Sequence, residues 1–140
     1  MIRNFTADDL EEVLQIWKQC NRQVHRFLPP YFWEQRCHQV KAALLQEEVF
    51  VAQEQGTIVG FAGLHRDWVQ GLFVLPRHQG RGVGRMLLNT LKECRSQLWL
   101  QVYDKNQFAL AFYLREGFVI HHRSLDSDSN EVKLTLLWRR

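Results

Sequence analysis

The chain lacks most of the features that announce a class of protein outright. No apolar run approaches the ~20 residues that a membrane-spanning helix requires, so no membrane partner is expected. Its three cysteines, Cys20, Cys37 and Cys94, are widely spaced and never paired as C-x-x-C. That excludes a disulfide framework and a zinc site, and reads as reduced, partly buried thiols. The opening Met1-Ile2-Arg3-Asn4-Phe5 has no signal-peptide layout, which makes the cytoplasm the default compartment. There is no linker, internal repeat or low-complexity tract. No basic stripe with interleaved aromatics is present, and nucleic acid is not an expected partner. His121-His122 are adjacent on a strand-like segment, so they point to opposite faces and do not form a metal pair.

What is present suits one domain spanning residues 1–140. A chain of 140 residues with 46% hydrophobic content can bury roughly two-thirds of its unfolded surface. The formal net charge of +3 is unevenly placed. Arg77, Arg81, Arg85, Lys92 and Arg95 stand against the single acid Glu93, so this short segment carries +4. The excess surrounds Pro76-Arg77-His78-Gln79-Gly80-Arg81-Gly82-Val83-Gly84-Arg85, which follows the apolar run Leu72-Phe73-Val74-Leu75 and leads into Met86-Leu87-Leu88. A strand that ends in a glycine-rich turn and continues as a helix aims several unpaired N–H groups at one point. With the positive end of the helix dipole, they form a site for phosphate.

Two phosphate loops are excluded by what is missing. A P-loop needs Gly-Lys followed by Ser or Thr, and here Gly84 is followed by Arg85-Met86. A dinucleotide fingerprint needs a third glycine, where this chain has Arg85 or Leu87 depending on register. What remains is Gln79-x-x-Gly82-x-Gly84, with Gly80 as an extra hinge. A second element follows: Asn106-Gln107-Phe108-Ala109-Leu110-Ala111-Phe112-Tyr113, then Gly117-Phe118.

The two elements, in this order and with one strand-like segment between them, resemble the paired signatures of the GNAT superfamily of N-acetyltransferases. The resemblance spans roughly residues 1–138 and is most specific over 69–118. Within the superfamily the chain is most similar to small bacterial members. It implies acetyl-CoA as cosubstrate, direct transfer without a metal or covalent acyl-enzyme, and an amine-bearing acceptor. By the same resemblance, the backbone of Leu72, Phe73 and Val74 holds the pantetheine arm. The amides of Gln79, Gly80, Arg81, Gly82, Val83, Gly84 and Arg85 hold the pyrophosphate. Asn106 contacts CoA, and Tyr113 is the catalytic acid at the departing thiolate. Each has a structural rival: Asn106 is a favoured helix N-cap, Tyr113 could be core with a wet hydroxyl, and Gly117 a left-handed helix end.

The coarse element order is βααβββαβαββ. Ile2 to Phe5 is a strand, and Thr6 with Asp9 opens a helix whose buried stripe is Leu10, Val13, Leu14, Trp17 and Cys20. A second helix is expected over Tyr31–Leu45, after Pro29-Pro30. Strands follow at 49–52, 58–64 and 69–75, then the helix to about Cys94, a strand at 98–102, a helix at 107–116, and strands from Phe118 and over 132–138. The expected fold class is α/β (α+β mixed), GNAT-like, with a mostly antiparallel twisted sheet and helices on both faces. As oligomer, both monomer and homodimer stay open. The base that deprotonates the amine also stays open between His25, His65, Asp67 and a water chain. The acceptor is a protein lysine, a peptide terminus or a small-molecule amine, with Phe27, Tyr31, Phe32 and Trp33 expected along one wall. The rival function is a non-catalytic acyl-CoA-binding module, which would not need an acid at the sulfur.

Overall fold

Along the middle strands, Val49, Val51, Ile58 and Phe61 turn to one face, and Ala52, Val59, Ala62 and Leu64 to the other. Both sets are buried, so the sheet must be covered on both sides. The computed structural model describes residues 1–140, the side chain of Val24 excepted. The strands are β1 (Ile2–Asn4), β2 (Glu48–Glu54), β3 (Thr57–His65), β4 (Trp68–Val74), β5 (Gln97–Tyr103), β6 (Val119–Asp126) and β7 (Glu131–Arg139). They form one sheet in the order β1-β2-β3-β4-β5-β7-β6. Every neighbouring pair is antiparallel except β4 and β5. On one face lie α1 (Leu10–Val24), α2 (Pro30–Glu34) and α3 (Cys37–Gln46); on the other lie α4 (Val83–Cys94) and α5 (Gln107–Arg115).

The stripe on α1 is buried as expected at Val13, Leu14, Trp17 and Cys20, and Ile16 joins it. Thr6 starts not the α-helix itself but a short 3-10 turn, Ala7–Asp9, that runs into it. The Asp9 carboxylate accepts the Thr6 backbone N–H at 2.8 Å and takes two hydrogen bonds from the Arg3 guanidinium at 2.8 and 2.9 Å. Chiefly through Arg3, its pKa is pulled down to about 2. The single helix expected over 31–45 is two helices, so three rather than two helices follow β1. Arg36 explains the break: its guanidinium lies 3.5 Å from the centroid of the Phe32 ring and donates to the Phe32 carbonyl at 2.8 Å, satisfying an end group of α2.

The sheet opens at its one parallel pair. β4 and β5 are in register only at Trp68 and Trp99, whose rings stack with centroids 5.7 Å apart. One residue further along β4, Leu64 of β3 faces Val69 but Gly63 faces Gly71, so Gln70 has no opposite number. A bulge of this kind bends its strand and strengthens the twist. β4 therefore leans away from β5, and the backbone it turns towards β5 has no strand partner past Trp68. Phe73 folds back across the bend, with its ring 2.6 Å from where a Gly71 Cβ would stand. Only glycine fits there.

Candidate active site

The opening between β4 and β5 is the floor of a cavity of about 640 Å³ that reaches both faces of the sheet. From the α4–α5 side it is lined by Gly80, Gly82, Gly84, Arg85, Asn106, Phe112 and Tyr113. From the α1–α2 side it is lined by Trp17, Cys20, Asn21, His25, Phe32 and Trp33. Leu72, Phe73 and Val74 of β4 and Leu100, Gln101, Val102 and Tyr103 of β5 form the split sheet between them.

The glycine turn is built as a cradle. Gly80 and Gly82 have φ of +78° and +85°, and a Cβ at either would meet nothing within 4 Å, so their backbone lies against open space. Gly82 is also the N-cap of α4, and no side chain caps it. The first N–H groups of that helix are free for a ligand, and the helix dipole favours an anion. These residues fit the phosphates of a CoA-type cosubstrate. Arg85 lies 3.4 Å from Glu116 and keeps 69% of its side chain exposed at the rim.

Not every residue named from the sequence meets this cavity. The Arg81 side chain turns outward, 61% exposed and 3.9 Å from Glu54. Val83 sends its side chain into the core, so only its backbone belongs to the cradle. The Gln79 side chain donates to the Val74 carbonyl at 2.9 Å and ties the turn to the strand end. Cys20 donates to that carbonyl at 3.5 Å, and burial pushes its thiol pKa up to about 11. Asn106 does cap α5, accepting the Ala109 N–H at 3.2 Å, while also lining the cavity.

Tyr113 is buried, edge-on to Phe112 and Phe118 with centroids 5.2 and 5.5 Å apart. Its hydroxyl has no hydrogen-bond partner among the described residues. Burial raises its pKa well above the ordinary tyrosine value, so the proton stays on oxygen.

The opposite wall is aromatic. Phe32 and Trp33 line it, and Phe27 stands behind, edge-on to His25 and Tyr103 with centroids 5.4 and 5.3 Å apart. Tyr31, expected here, is instead 64% exposed and outside the cavity. His25 is 8% exposed and ends α1, accepting the Leu28 N–H through its carbonyl. Burial, and secondarily the charge of Lys133, lowers its pKa to about 4. Two buried polar atoms here, His25 Nδ1 and Trp33 Nε1, have no hydrogen-bond partner among the described residues. An unsatisfied buried group costs about 1–3 kcal/mol, which marks this wall as one shaped for something besides packing. His65 and Asp67, the other side chains considered as bases, sit at the β3–β4 turn outside the cavity, where Asp67 accepts from Gln97 at 3.0 Å.

Sequence reasoning missed Trp17, Asn21 and Tyr103 as cavity residues. Trp17 and Asn21 sit four apart on α1, with the Asn21 amide donating to the Trp17 carbonyl at 2.8 Å. That spacing is as consistent with core as with a cavity wall, so it carries no separate signal.

Comparison with known proteins agrees with this geometry. Residues 10–118 match the Acetyltransferase (GNAT) family. The peptidyl-lysine N-acetyltransferase YiaC of Escherichia coli (strain K12) is 30% identical over 122 residues, covering 86% of this chain and 84% of that protein. The peptidyl-lysine N-acetyltransferase YjaB of the same organism is 30% identical over 124 residues, covering 88% and 84%. The solution structure of apo YjaB from Escherichia coli superposes with a TM-score of 0.86 at 28% identity, covering 99% of this chain and 96% of that one. A Salmonella typhimurium acetyltransferase, yncA, solved with acetyl-CoA, shares the fold with a TM-score of 0.72 at 20% identity, covering 99% and 92%. The chain belongs to the GNAT acetyltransferase family. It is an acetyl-CoA-dependent N-acetyltransferase.

Proposed function

We propose that this enzyme transfers the acetyl group of acetyl-CoA directly to the ε-amine of a lysine in a protein or peptide. The observation that carries this reading is the single cavity that crosses the sheet. It has a backbone cradle for phosphate on one side and an apolar, aromatic wall on the other. A lysine presents a four-carbon stem before its nitrogen, and aromatic faces suit that stem and the amine behind it. The names of the two curated relatives, both peptidyl-lysine N-acetyltransferases, support the same acceptor.

The roles follow from the chemistry. The N–H groups from Gly80 to Arg85, at the start of α4, hold the pyrophosphate, whereas the Gln79 N–H is already given to the Pro76 carbonyl at 3.3 Å. The unpaired edge of β4 at Leu72, Phe73 and Val74 pairs with the amide-bearing arm, as a peptide pairs with a sheet edge. A backbone N–H of that edge polarises the thioester oxygen. Tyr113 donates to the sulfur as it leaves. A thiol has a pKa of ~8.5, below that of this buried phenol. Tyr113 therefore acts mainly by a hydrogen bond that strengthens as charge builds on sulfur.

The direct test is incubation with acetyl-CoA and a terminally blocked peptide carrying one lysine, read by free-thiol release and by the mass of the peptide. Acetylation on the lysine nitrogen is the expected result. Transfer only to free peptide N-termini, or only to small amines, would overturn the lysine reading.

A further inference from the structure

The proton that the acceptor nitrogen loses has no assigned destination, and the cavity offers few. Glu116 lies beside Arg85 at the phosphate end. Asp126 is held by the Ser129 hydroxyl and N–H at 2.6 and 3.1 Å, with Lys133 at 3.8 Å. Asp128 is 75% exposed at the rim, 3.9 Å from Arg36. The Cys20 thiol is spent on the Val74 carbonyl. His25 differs from all of these. It lines the acceptor wall, is more than nine-tenths buried, and its imidazole makes no hydrogen bond among the described residues. Trp33, Phe27 and Tyr103 hold the ring, with centroids 5.5, 5.4 and 5.1 Å away. Nδ1 is sealed within that wall, so contact with a ligand falls to Nε2.

We propose that His25 receives the acceptor amine, accepting a hydrogen bond from its N–H and then the proton that the nitrogen sheds as the amide forms. This rests on the amine-acetylating reading of the same cavity. The nitrogen–carbon bond forms and the carbon–sulfur bond breaks. The electron pair leaves on sulfur, which departs as a thiolate held by the Tyr113 hydrogen bond. The proton from nitrogen passes through His25 to solvent, and the Tyr113 hydroxyl keeps its own.

The environment of the ring suits this task. Lys133 of β7 lies 4.9 Å from the Tyr103 ring centroid, and Lys105 lies 5.3 Å from that of Phe27. Arg36, Asp126 and Asp128 line the same cavity. With a pKa near 4, the imidazole is neutral across the physiological range and keeps a free lone pair. It is too weak a base to strip an ammonium of pKa ~10.4, so the amine must arrive neutral. As the carbon–sulfur bond breaks, the nitrogen becomes that of an N-protonated amide, a strong acid, and transfer to the imidazole runs downhill.

The test combines spectroscopy and kinetics. Wild-type protein with labelled histidine, saturated with CoA and titrated with n-butylamine, should show saturable shifts in the His25 ring signals alone. His25→Phe keeps a ring in the aromatic wall but has no acceptor. It should lower kcat/KM for the blocked lysine peptide by about 10²-fold, with acetyl-CoA affinity unchanged. His25→Gln, whose amide oxygen still accepts a hydrogen bond, should retain intermediate activity. Ring signals that ignore the amine, or a His25→Phe enzyme within about threefold of wild type, would overturn the proposal. If His25→Phe does not fold, the titration of the wild type decides alone. The lysine reading fails separately, as a wild type that binds acetyl-CoA and leaves the peptide unmodified. The butylamine titration still judges His25 in that case.

Discussion

The two walls of the cavity are made of different material. The α4–α5 wall is largely backbone: glycines at +78° and +85°, an uncapped helix start and the unpaired edge of β4. The α1–α2 wall is side chain, an aromatic cluster around one buried imidazole. Under the proposed function, the backbone wall takes the phosphate and amide groups that every CoA thioester carries, and the side-chain wall takes the acceptor. Substitutions on the first wall should therefore change cofactor affinity, and those on the second should change acceptor parameters.

The largest effect is expected on the backbone wall. Gly82→Glu places an L-residue at a φ of +85° and a carboxylate in front of the phosphates. The strain costs about 1–2 kcal/mol, which a folded domain survives. Acetyl-CoA binding by calorimetry should fall by at least about 100-fold. Affinity unchanged in a folded variant would refute the cradle.

Next in size, Tyr113→Phe should lower kcat by about 10²-fold, with acetyl-CoA affinity and melting temperature close to wild type. The hydroxyl has no partner among the described residues, so its removal leaves packing intact. A parallel loss of stability would make the residue structural instead.

On the acceptor wall the effects are smaller. Trp33→Phe keeps a ring and removes the unpaired indole N–H. The KM for the lysine peptide should rise about threefold to tenfold, the equivalent of one hydrogen bond, without a change in acetyl-CoA affinity. A change in cofactor affinity alone would erase the contrast between the walls.

The same wall should govern acid stability. The His25 pKa is lowered in the fold, so between its unfolded value of ~6.5 and about 4 the unfolded chain binds the extra proton. Stability is complete above the upper value and is lost as pH falls towards the lower one. This amounts to about 3 kcal/mol. Denaturant unfolding from pH 7 to pH 4 measures it, and His25→Phe should flatten that dependence. The Asp9 contribution appears lower still, lost as pH falls from the usual carboxylate range towards about 2.

The smallest change separates Gly84 from its neighbour. Gly84 is inside α4, and an added Cβ would meet Phe112, Leu72 and Val74 at 3.6–3.8 Å, an ordinary contact. Gly84→Ala should leave the melting point equal or slightly raised, since alanine gains up to about 1 kcal/mol of helix propensity. A collapse in stability would mean that the helix start is packed more tightly than these distances indicate.

How much of this was legible before folding follows the same division. The turn at Gln79–Arg85 and the helix from Asn106 to Tyr113 could be read because each is a local run with fixed spacing. The strand pattern of β2 and β3 could be read because alternation is a local property. The second helix was read too long because its break depends on Arg36 reaching back to Phe32, a choice of side-chain direction. Arg81 and Val83 share the motif but send their side chains away from the cavity, and a motif does not say which way a side chain points.

His25 shows the limit most plainly. Its own neighbours, Val24 and Arg26, say nothing of a buried imidazole. Trp33 lies eight residues on, and Tyr103 is far along the chain on β5. The sequence by itself determined the glycine turn, the helix that carries Tyr113 and the alternation of the middle strands, because each is encoded within a dozen consecutive residues. The split between β4 and β5, and the aromatic box that strips His25 of solvent, were decided only when distant segments packed together. Burial depends on what the rest of the chain places around a residue, and local spacing carries no record of it.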